Sequence, residues 1–523
     1  MAASRTPRQI QQGWSRVPPM SGRVVAAIAL AACKTETAYT IVTVDAKPSV
    51  HGATALKVTL ADSSTSQTNE LPLDGATFPT TFSVSAPGHM GDYQIQIDAV
   101  DDNDVLVGSG QATSTFGAPD ASVTLAGADF VVNTDFAMDQ SLVSFNSFGV
   151  GFHIAATTDD HFAVTFRDQC SSPCNMFARR FDTTGLPLSS VLAAGTNTFP
   201  VSTELTDSGS TPAIAAGGTS TVAVWDFGDG AGATGVACRA IDASGAGAGN
   251  QVTLSTDPST DTASATALSN GNFAVTWTGF LASVFVIRAA IIKPDCSIVS
   301  NPVTVSPAAT EAFFDSTVST NGPNVIYGYR IDQSMHVRIA NSVNSFTTAD
   351  GAIVNASAAD NMIMARFAPL GTGWLMGIRY ASATSDTLPG RIEVTKVSST
   401  GALMGAPTVV TMNAGSDFSS ARGFGMAARA DGVILMVWHA CGANGDGNDC
   451  GVFGQVISAT GALVGSPFVI PSTTMGPQTD PSVTALSDAF VVAWTDGSAQ
   501  APDTSGLAVR ARIVYVGPDG SID

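Results

Sequence analysis

From about residue 40 onward, apolar and polar positions alternate in short runs, each closed by Gly, Pro, Asn, Asp or Ser. The run Tyr93 to Val100 shows the pattern clearly. Tyr93, Ile95, Ile97 and Ala99 would share one face, and Gln94, Gln96 and Asp98 the other. A period of two belongs to a strand with one side on a core and the other in water. Similar runs at 40–46, 55–61, 80–86, 93–100, 105–116 and 121–126, separated by turn residues, predict a β-sandwich over 39–127. The cluster Asp101-Asp102-Asn103-Asp104 reads as a hairpin tip between two of them. No long stretch carries the 3.6-residue apolar spacing of a helix, so the chain is expected to be all-β.

Beyond residue 128 the pattern itself repeats. Thr400 to Val410 reads TGALMGAPTVV and Thr460 to Ile470 reads TGALVGSPFVI. Each follows an apolar run ending in a large side chain. Alignment on that side chain gives seven landmarks, Phe166, Trp225, Trp277, Tyr329, Ile378, Trp438 and Trp494, spaced by 49 to 60 residues. Each copy offers an inner strand, a central strand ending at the landmark, a third strand, a turn ending in Gly, and an outer strand. The turns are DTTG (Asp182 to Gly185), DASG (Asp242 to Gly245), SSTG (Ser398 to Gly401) and SATG (Ser458 to Gly461), where Gly supplies the positive φ of a tight hairpin. Four strands in each of seven copies predict a seven-bladed β-propeller. The landmarks are expected to pack between blades and not to serve as sugar-stacking platforms. The seventh copy runs out after its third strand, and Asp129 to Asn133 reads as the missing outer strand. A propeller over 128–523 closed by strand 129–133 would lose two open sheet edges.

The strings ALSNGNFAVTW (Ala267 to Trp277), ARADGVILMVW (Ala428 to Trp438) and ALSDAFVVAW (Ala485 to Trp494) carry a resemblance. Their order of motifs resembles a class of bacterial secreted repeats of the DG-x-FVV-x-W type, which implies the fold and no particular activity. The 39–127 segment resembles the immunoglobulin-like module that follows the anchor in bacterial surface lipoproteins. Near the N-terminus, Met20 to Arg23 is a short basic stretch, Val24 to Ala32 an apolar run, and Leu30-Ala31-Ala32-Cys33 follows. This order resembles the bacterial lipoprotein signal. The resemblance implies cleavage before Cys33 and lipidation of its thiol. Residues 1–32 would then be an extension plus signal peptide, and 33–38 anchor and linker. Lys34 stands where an inner-membrane retention Asp would be, so the implied location is the bacterial outer membrane or cell surface, lipid-anchored.

Composition narrows the partners. The net charge is −20 with only 13% charged residues, and all four charges in the first 32 residues are Arg. Such a surface repels nucleic acid, and no segment beyond the signal is apolar enough to span a bilayer, so membrane contact would run through the lipid alone. Six cysteines remain after Cys33, an even number suited to disulfides in an oxidising compartment: Cys170 with Cys174, Cys441 with Cys450, and Cys238 with Cys296. Zinc is the competing reading, and only His439 lies near a Cys pair. Between Cys441 and Cys450 the alternating oxygen donors Asn444, Asp446, Asn448 and Asp449 form a weak calcium candidate without the distal Glu of a full loop. No other cofactor is implied.

Catalytic signatures are sparse. The histidines (His51, His89, His153, His161, His336, His439) form no HExxH and read as surface or blade-edge residues. No GxSxG elbow or phosphate-binding loop occurs, and the Asp-box of sialidases is absent in its usual spacing. No catalytic residue is therefore assigned. The expected function is a non-catalytic, lipid-anchored surface binding or scaffold protein that recognises a glycan or a protein on a propeller face. The alternative is a polysaccharide-active hydrolase or lyase with acidic residues at the propeller channel, since a propeller gathers such groups from separate blades. A cluster of carboxylates with Arg or Tyr at the channel mouth, in place of small and apolar residues, would favour the second.

Overall fold

The computed structural model describes residues 39–85, 90–132, 140–142, 153–168, 176–188, 198–201, 212–228, 234–242, 247–256, 263–281, 283–307, 316–357, 360–382, 390–412, 423–500 and 506–517, with 27–29, 503–504 and 522. Cys33, His89, Cys170 and Cys174 lie outside these residues. The described part is all-β apart from one turn of 3-10 helix at Gly442–Asn444. It divides into two units, 1–128 and 129–522.

In the first unit, strands run at Tyr39–Ala46, Ala55–Ala61, Ser66–Pro72, Thr80–Ser85, Asp92–Val100, Leu106–Thr115 and Asp120–Gly127. Val42, Val44, Val58, Ile95, Ile97, Val123 and Leu125 come from alternate positions and form one core. Tyr93 stacks on Phe116 with centroids 4.3 Å apart. Ser66–Pro72 lies outside the strands that the alternation predicts. Its run SQTNELP holds one buried residue and pairs only with Ala55–Ala61, so at this sheet edge the backbone ladder defines the strand and apolar side chains do not. At the hairpin tip, Asp101 Oδ1 accepts the N–H groups of Asn103 (2.8 Å) and Val105 (2.9 Å), an Asx turn. Ala27–Ala29, from the apolar run before Cys33, pairs in parallel with Thr80–Ser85.

The second unit is a seven-bladed propeller. Its inner strands are Ile154–Ala156, Ala213–Gly217, Ser264–Ala267, Ser316–Asn321, Asp360–Leu370, Phe424–Ala428 and Gln478–Ala485. They neighbour one another around a ring that closes between blades 7 and 1. The second strands (Phe162–Asp168, Ser220–Gly228, Phe273–Leu281, Asn324–Ile331, Gly373–Ser382, Ile434–Ala440, Ala489–Asp496) carry the landmarks, all at 3% exposure or less. Each landmark packs into the apolar cluster shared with the preceding blade. Trp225 joins blade 1 residues, Trp277 blade 2, Tyr329 blade 3, Ile378 blade 4, Trp438 blade 5 and Trp494 blade 6, while Phe166 packs with blade 7. Seven seams thus hold seven cores, which is why the bulky residue recurs once per copy.

Third strands follow at Met176–Phe181, Thr234–Ile241, Val284–Ile292, Ser334–Asn341, Arg391–Val397, Gly451–Ile457 and Ala508–Tyr515. The turn after them places Gly185, Gly401 and Gly461 at φ of 79° to 87°, and Cys296 and Asn344 hold the same left-handed position in blades 3 and 4. Close packing also requires Gly328, because a Cβ there would lie 2.3 Å from the Phe367 ring of blade 5. Blade 7 takes its outer strand from Phe130–Val131, which pairs antiparallel with Arg510 and Ala511. Just before it, the Asp129 carboxylate accepts the N–H groups of Ser472 and Thr473 at 2.9 to 3.0 Å.

Candidate functional site

The residue one or two places after each landmark sits where the second strand meets its turn to the third, at the same end of every blade. These residues are Arg167, Asp226, Thr278, Arg330, Arg379, His439 and the pair Thr495 and Asp496, all buried. Several reach across the seam to backbone of the next blade. Arg330 donates to Met362 O (2.7 Å), and Arg379 donates to Gly423 O and His439 O (both 2.9 Å). His439 Nδ1 accepts the Asp480 N–H (3.1 Å), and Thr495 Oγ1 accepts that of Leu142 (3.1 Å). Asp496 is held in its own blade by Arg510 Nε (2.8 Å) and Ser498 Oγ (2.5 Å). This ring latches blade to blade and leaves its charges enclosed.

Two clusters at the same end of blades 4 and 5 are different, because they are partly open to solvent. In blade 4, Tyr329 and His336 are directly opposed on the second and third strands, beside the turn at Asp332. Their rings stack with centroids 5.7 Å apart. Asp350, just before the outer strand, accepts the Tyr329 hydroxyl and lies 3.2 Å from His336 Nδ1, both through Oδ1. Burial first, then the Asp350 carboxylate, pushes the Tyr329 hydroxyl well above its ordinary range, so it stays a proton donor. The His336 and Asp350 side chains keep 14% and 31% of their exposure, so solvent reaches the pair.

In blade 5, Arg391 is opposed to Tyr380 and covers its ring at 4.1 Å. Arg391 bonds to Asp360 and, through Nε, to Glu393 at 2.8 Å. Ser357 adds a bond to Asp360 at 2.5 Å. Burial raises the Asp360 carboxyl, but the bonds from Arg391 and Ser357 outweigh it and leave it below the ordinary range. Burial, with Glu393 adding to it, pushes Tyr380 up to about 12. Only 13% of the chain is charged, yet carboxylate, guanidinium, imidazole and phenol meet within two adjacent blades. Such groups can hold sugar hydroxyls and move protons.

The residues singled out from sequence fall elsewhere. Cys238 is bonded to Cys296 across blades 2 and 3, and Cys441 to Cys450 within blade 6. Inside that second loop, Asp446 Oδ1 accepts the Asn448 N–H (3.1 Å), and no group of three His, Cys, Asp or Glu side chains suited to a metal occurs among the described residues. Of the histidines read as surface or blade-edge residues, two face a neighbouring blade and are buried. His153 is 0% exposed and His439 2%. Both are drawn inward because their ring nitrogens bond to backbone of the neighbouring blade. His153 Nδ1 contacts Pro212 O at 2.7 Å, and across the ring Arg366 of blade 5 adds to the effect of burial in lowering its pKa to about 4. His161 pairs with Asp159 (2.9 Å) in the turn between the first two strands of blade 1, at the opposite end of the blades from the clusters. The sequence alignment held a signal for the latch ring, a polar residue following each landmark. Nothing local marked Asp350 or Glu393.

No protein-family model matches the chain, and no curated protein does. Solved propeller structures resemble it at low identity. An ulvan lyase representing a polysaccharide lyase family is 10% identical, covering 74% of this chain and 96% of its own with a TM-score of 0.45. The polysaccharide lyase Uly1 is 8% identical, covering 70% and 90% with a TM-score of 0.44. The α-L-arabinanase of Penicillium chrysogenum is 12% identical, covering 56% and 90% with a TM-score of 0.36. At these values the likeness concerns fold alone. The expectation of a non-catalytic binding or scaffold protein is corrected in favour of the catalytic alternative: the similar structures include glycosidases and polysaccharide lyases, and blades 4 and 5 carry mixed carboxylate, Arg, Tyr and His groups.

Proposed function

We propose that the protein is a polysaccharide-cleaving enzyme, a hydrolase or lyase, whose site lies at the second-to-third-strand end of blades 4 and 5. One observation carries this reading: Tyr329, His336 and Asp350 are in contact on one blade, and Asp360, Tyr380, Arg391 and Glu393 on the next, and apart from the two buried tyrosines their side chains keep 14% to 31% of their exposure. The chemistry falls to this chain's own side chains, with carboxylates and Arg391 orienting hydroxyls and the His and Tyr groups handling protons.

The same reading includes an extracellular setting. The Leu-Ala-Ala-Cys string at residues 30–33 supports a lipid anchor at Cys33, and the alternating strands of 39–127 support an immunoglobulin-like spacer between anchor and propeller. A bacterial surface enzyme of this kind would meet polymer too large to import. The test is incubation of the mature protein with acidic and neutral polysaccharides, following chain length and new reducing ends, with intact mass recording the N-terminus. Shortening that is lost in Arg391→Ala is expected. Unchanged polymer throughout would sink the enzymatic reading, and an unmodified Cys33 in an intact precursor the anchor.

A further inference from the structure

We propose that His336, oriented by Asp350, is the proton-transfer residue of a β-eliminating site on blade 4, and that its substrate is a polysaccharide containing 4-linked glucuronate or mannuronate. This rests on the glycan-cleaving reading and narrows it.

The argument starts from which groups are able to give or take a proton. Hydrolysis with two carboxyl groups needs one of them protonated near neutral pH. In blade 5 both candidates are bonded to Arg391, and Asp360 is held below the ordinary carboxylate range. In blade 4, Asp350 is occupied by Tyr329 and His336. None of the three is placed to be the acid. An imidazole whose Nδ1 faces a carboxylate is a different matter. The carboxylate keeps the proton on Nδ1, so the Nε2 lone pair is the free base. Tyr329 holds the far side of the arrangement, stacked on the ring and bonded to the same Asp350 oxygen, which fixes the imidazole plane.

The surroundings suit an anionic sugar. Arg338 lies two residues along the third strand on the same face as His336 and packs over Phe346 at 3.8 Å. One of its N–H groups bonds to Val305 O at 3.0 Å, and the side chain as a whole is half-buried. A guanidinium at this spacing, roughly 7 Å along a strand, is close enough to stabilise the carboxylate of a uronate whose C5–H faces His336. In the step itself, Nε2 takes the C5 proton and the electron pair forms the C4=C5 bond. The C4–O4 bond breaks, and the departing O4 receives the proton back from Nε2. Atoms and charge balance with no oxidant or co-reactant. Tyr329 is fully buried, so a single group, His336, must serve both bonds. C5–H and O4 then have to lie on the same ring face, as in glucuronate and mannuronate, and not on opposite faces, as in galacturonate and guluronate.

His161 does not compete for this role. Its partner Asp159 already accepts from Thr157 (2.5 Å) and lies within 3.9 Å of Arg180 in the hairpin turn between the first two strands.

The experiment uses the whole protein with hyaluronan and polymannuronate in one arm and polygalacturonate and polyguluronate in the other. Ultraviolet absorbance of the conjugated C4=C5 product is followed alongside reducing ends. Unsaturated product in the first arm, reduced on the order of 100-fold or more in His336→Gln, is the expected result. Asp350→Asn, a positioning change, should lower kcat while leaving KM near the parent value, a split that a purely structural role would not produce. If His336→Gln melts early, Tyr329→Phe and Asp350→Asn carry the same comparison. Chain shortening without the chromophore would keep the cleaving reading and overturn elimination. Unsaturated product from the second arm alone would overturn the single-residue site, as would full activity of well-folded His336→Gln. No shortening in either arm, or of any other polysaccharide, would remove both.

Discussion

His153 shows what burial does to one titratable side chain in this ring. Its Nδ1 donates to Pro212 O, Nε2 has no hydrogen-bond partner, and the folded pKa falls to about 4 from the ordinary 6.5. The folded state therefore binds fewer protons than the unfolded state between these two values. Stability is fully present above pH 6.5 and is lost as pH falls toward 4, by about 3 kcal/mol in all. Replacing the group with a neutral donor, His153→Gln, should flatten the urea-unfolding midpoint between about pH 7 and about pH 4.5 relative to the parent. Parallel pH slopes for the two proteins would show that His153 is not the group responsible. The same residue marks a limit of sequence reading. A lone His between Phe and Ile carries no sign of depth, and the neighbour that buries it, Pro212, comes from another blade.

At the scale of elements, the latch ring explains why a chain so poor in charge places Arg at strand ends. Arg379 closes the seam between blades 5 and 6 through two carbonyls that nothing else of its size and shape would reach. Arg379→Met keeps the apolar stem but leaves Gly423 O and His439 O without that donor, at a cost of about 2 to 4 kcal/mol. Arg379→Lys should recover only part of this, because a point donor cannot span both acceptors. Chemical denaturation of the three proteins decides, and equal stability would reduce the ring to decoration. Strand positions were legible because alternation and one landmark per copy follow from local burial, as at FVVAW before Trp494. Ser66–Pro72 was not legible, since an edge strand solvated on most of its faces needs no apolar pattern.

For the whole molecule, closure is the step with the longest reach in sequence. Phe130 packs against Phe162 and Phe181 at 6.4 and 5.4 Å while its backbone completes blade 7, and Asp129 ties the same segment to Ser472 and Thr473. Phe130→Ala should lower stability by about 2 to 3 kcal/mol and raise oligomer content, because a loosened outer strand uncovers the edge at Arg510 and Ala511. Light scattering after mild heating separates this from a simple loss of packing, which would leave the protein monomeric. The Cys238–Cys296 bond acts at the same scale, joining residues 58 apart across blades 2 and 3.

By itself the sequence determined the all-β class, the count of seven blades, the turns and the strand that closes the ring. Each of these is written in local periodicity or in the likeness of residues 129–133 to the outer strands of other copies. Only the tertiary structure decided the site. Asp350 and Glu393 are ordinary acids along the chain, and Tyr329 reads as one more bulky core residue. They acquire chemical meaning when antiparallel register sets Tyr329 against His336 and Tyr380 against Arg391, and when blade order puts the two groups side by side. Cross-strand pairing joins residues whose spacing in sequence varies with each loop, so no fixed motif records it.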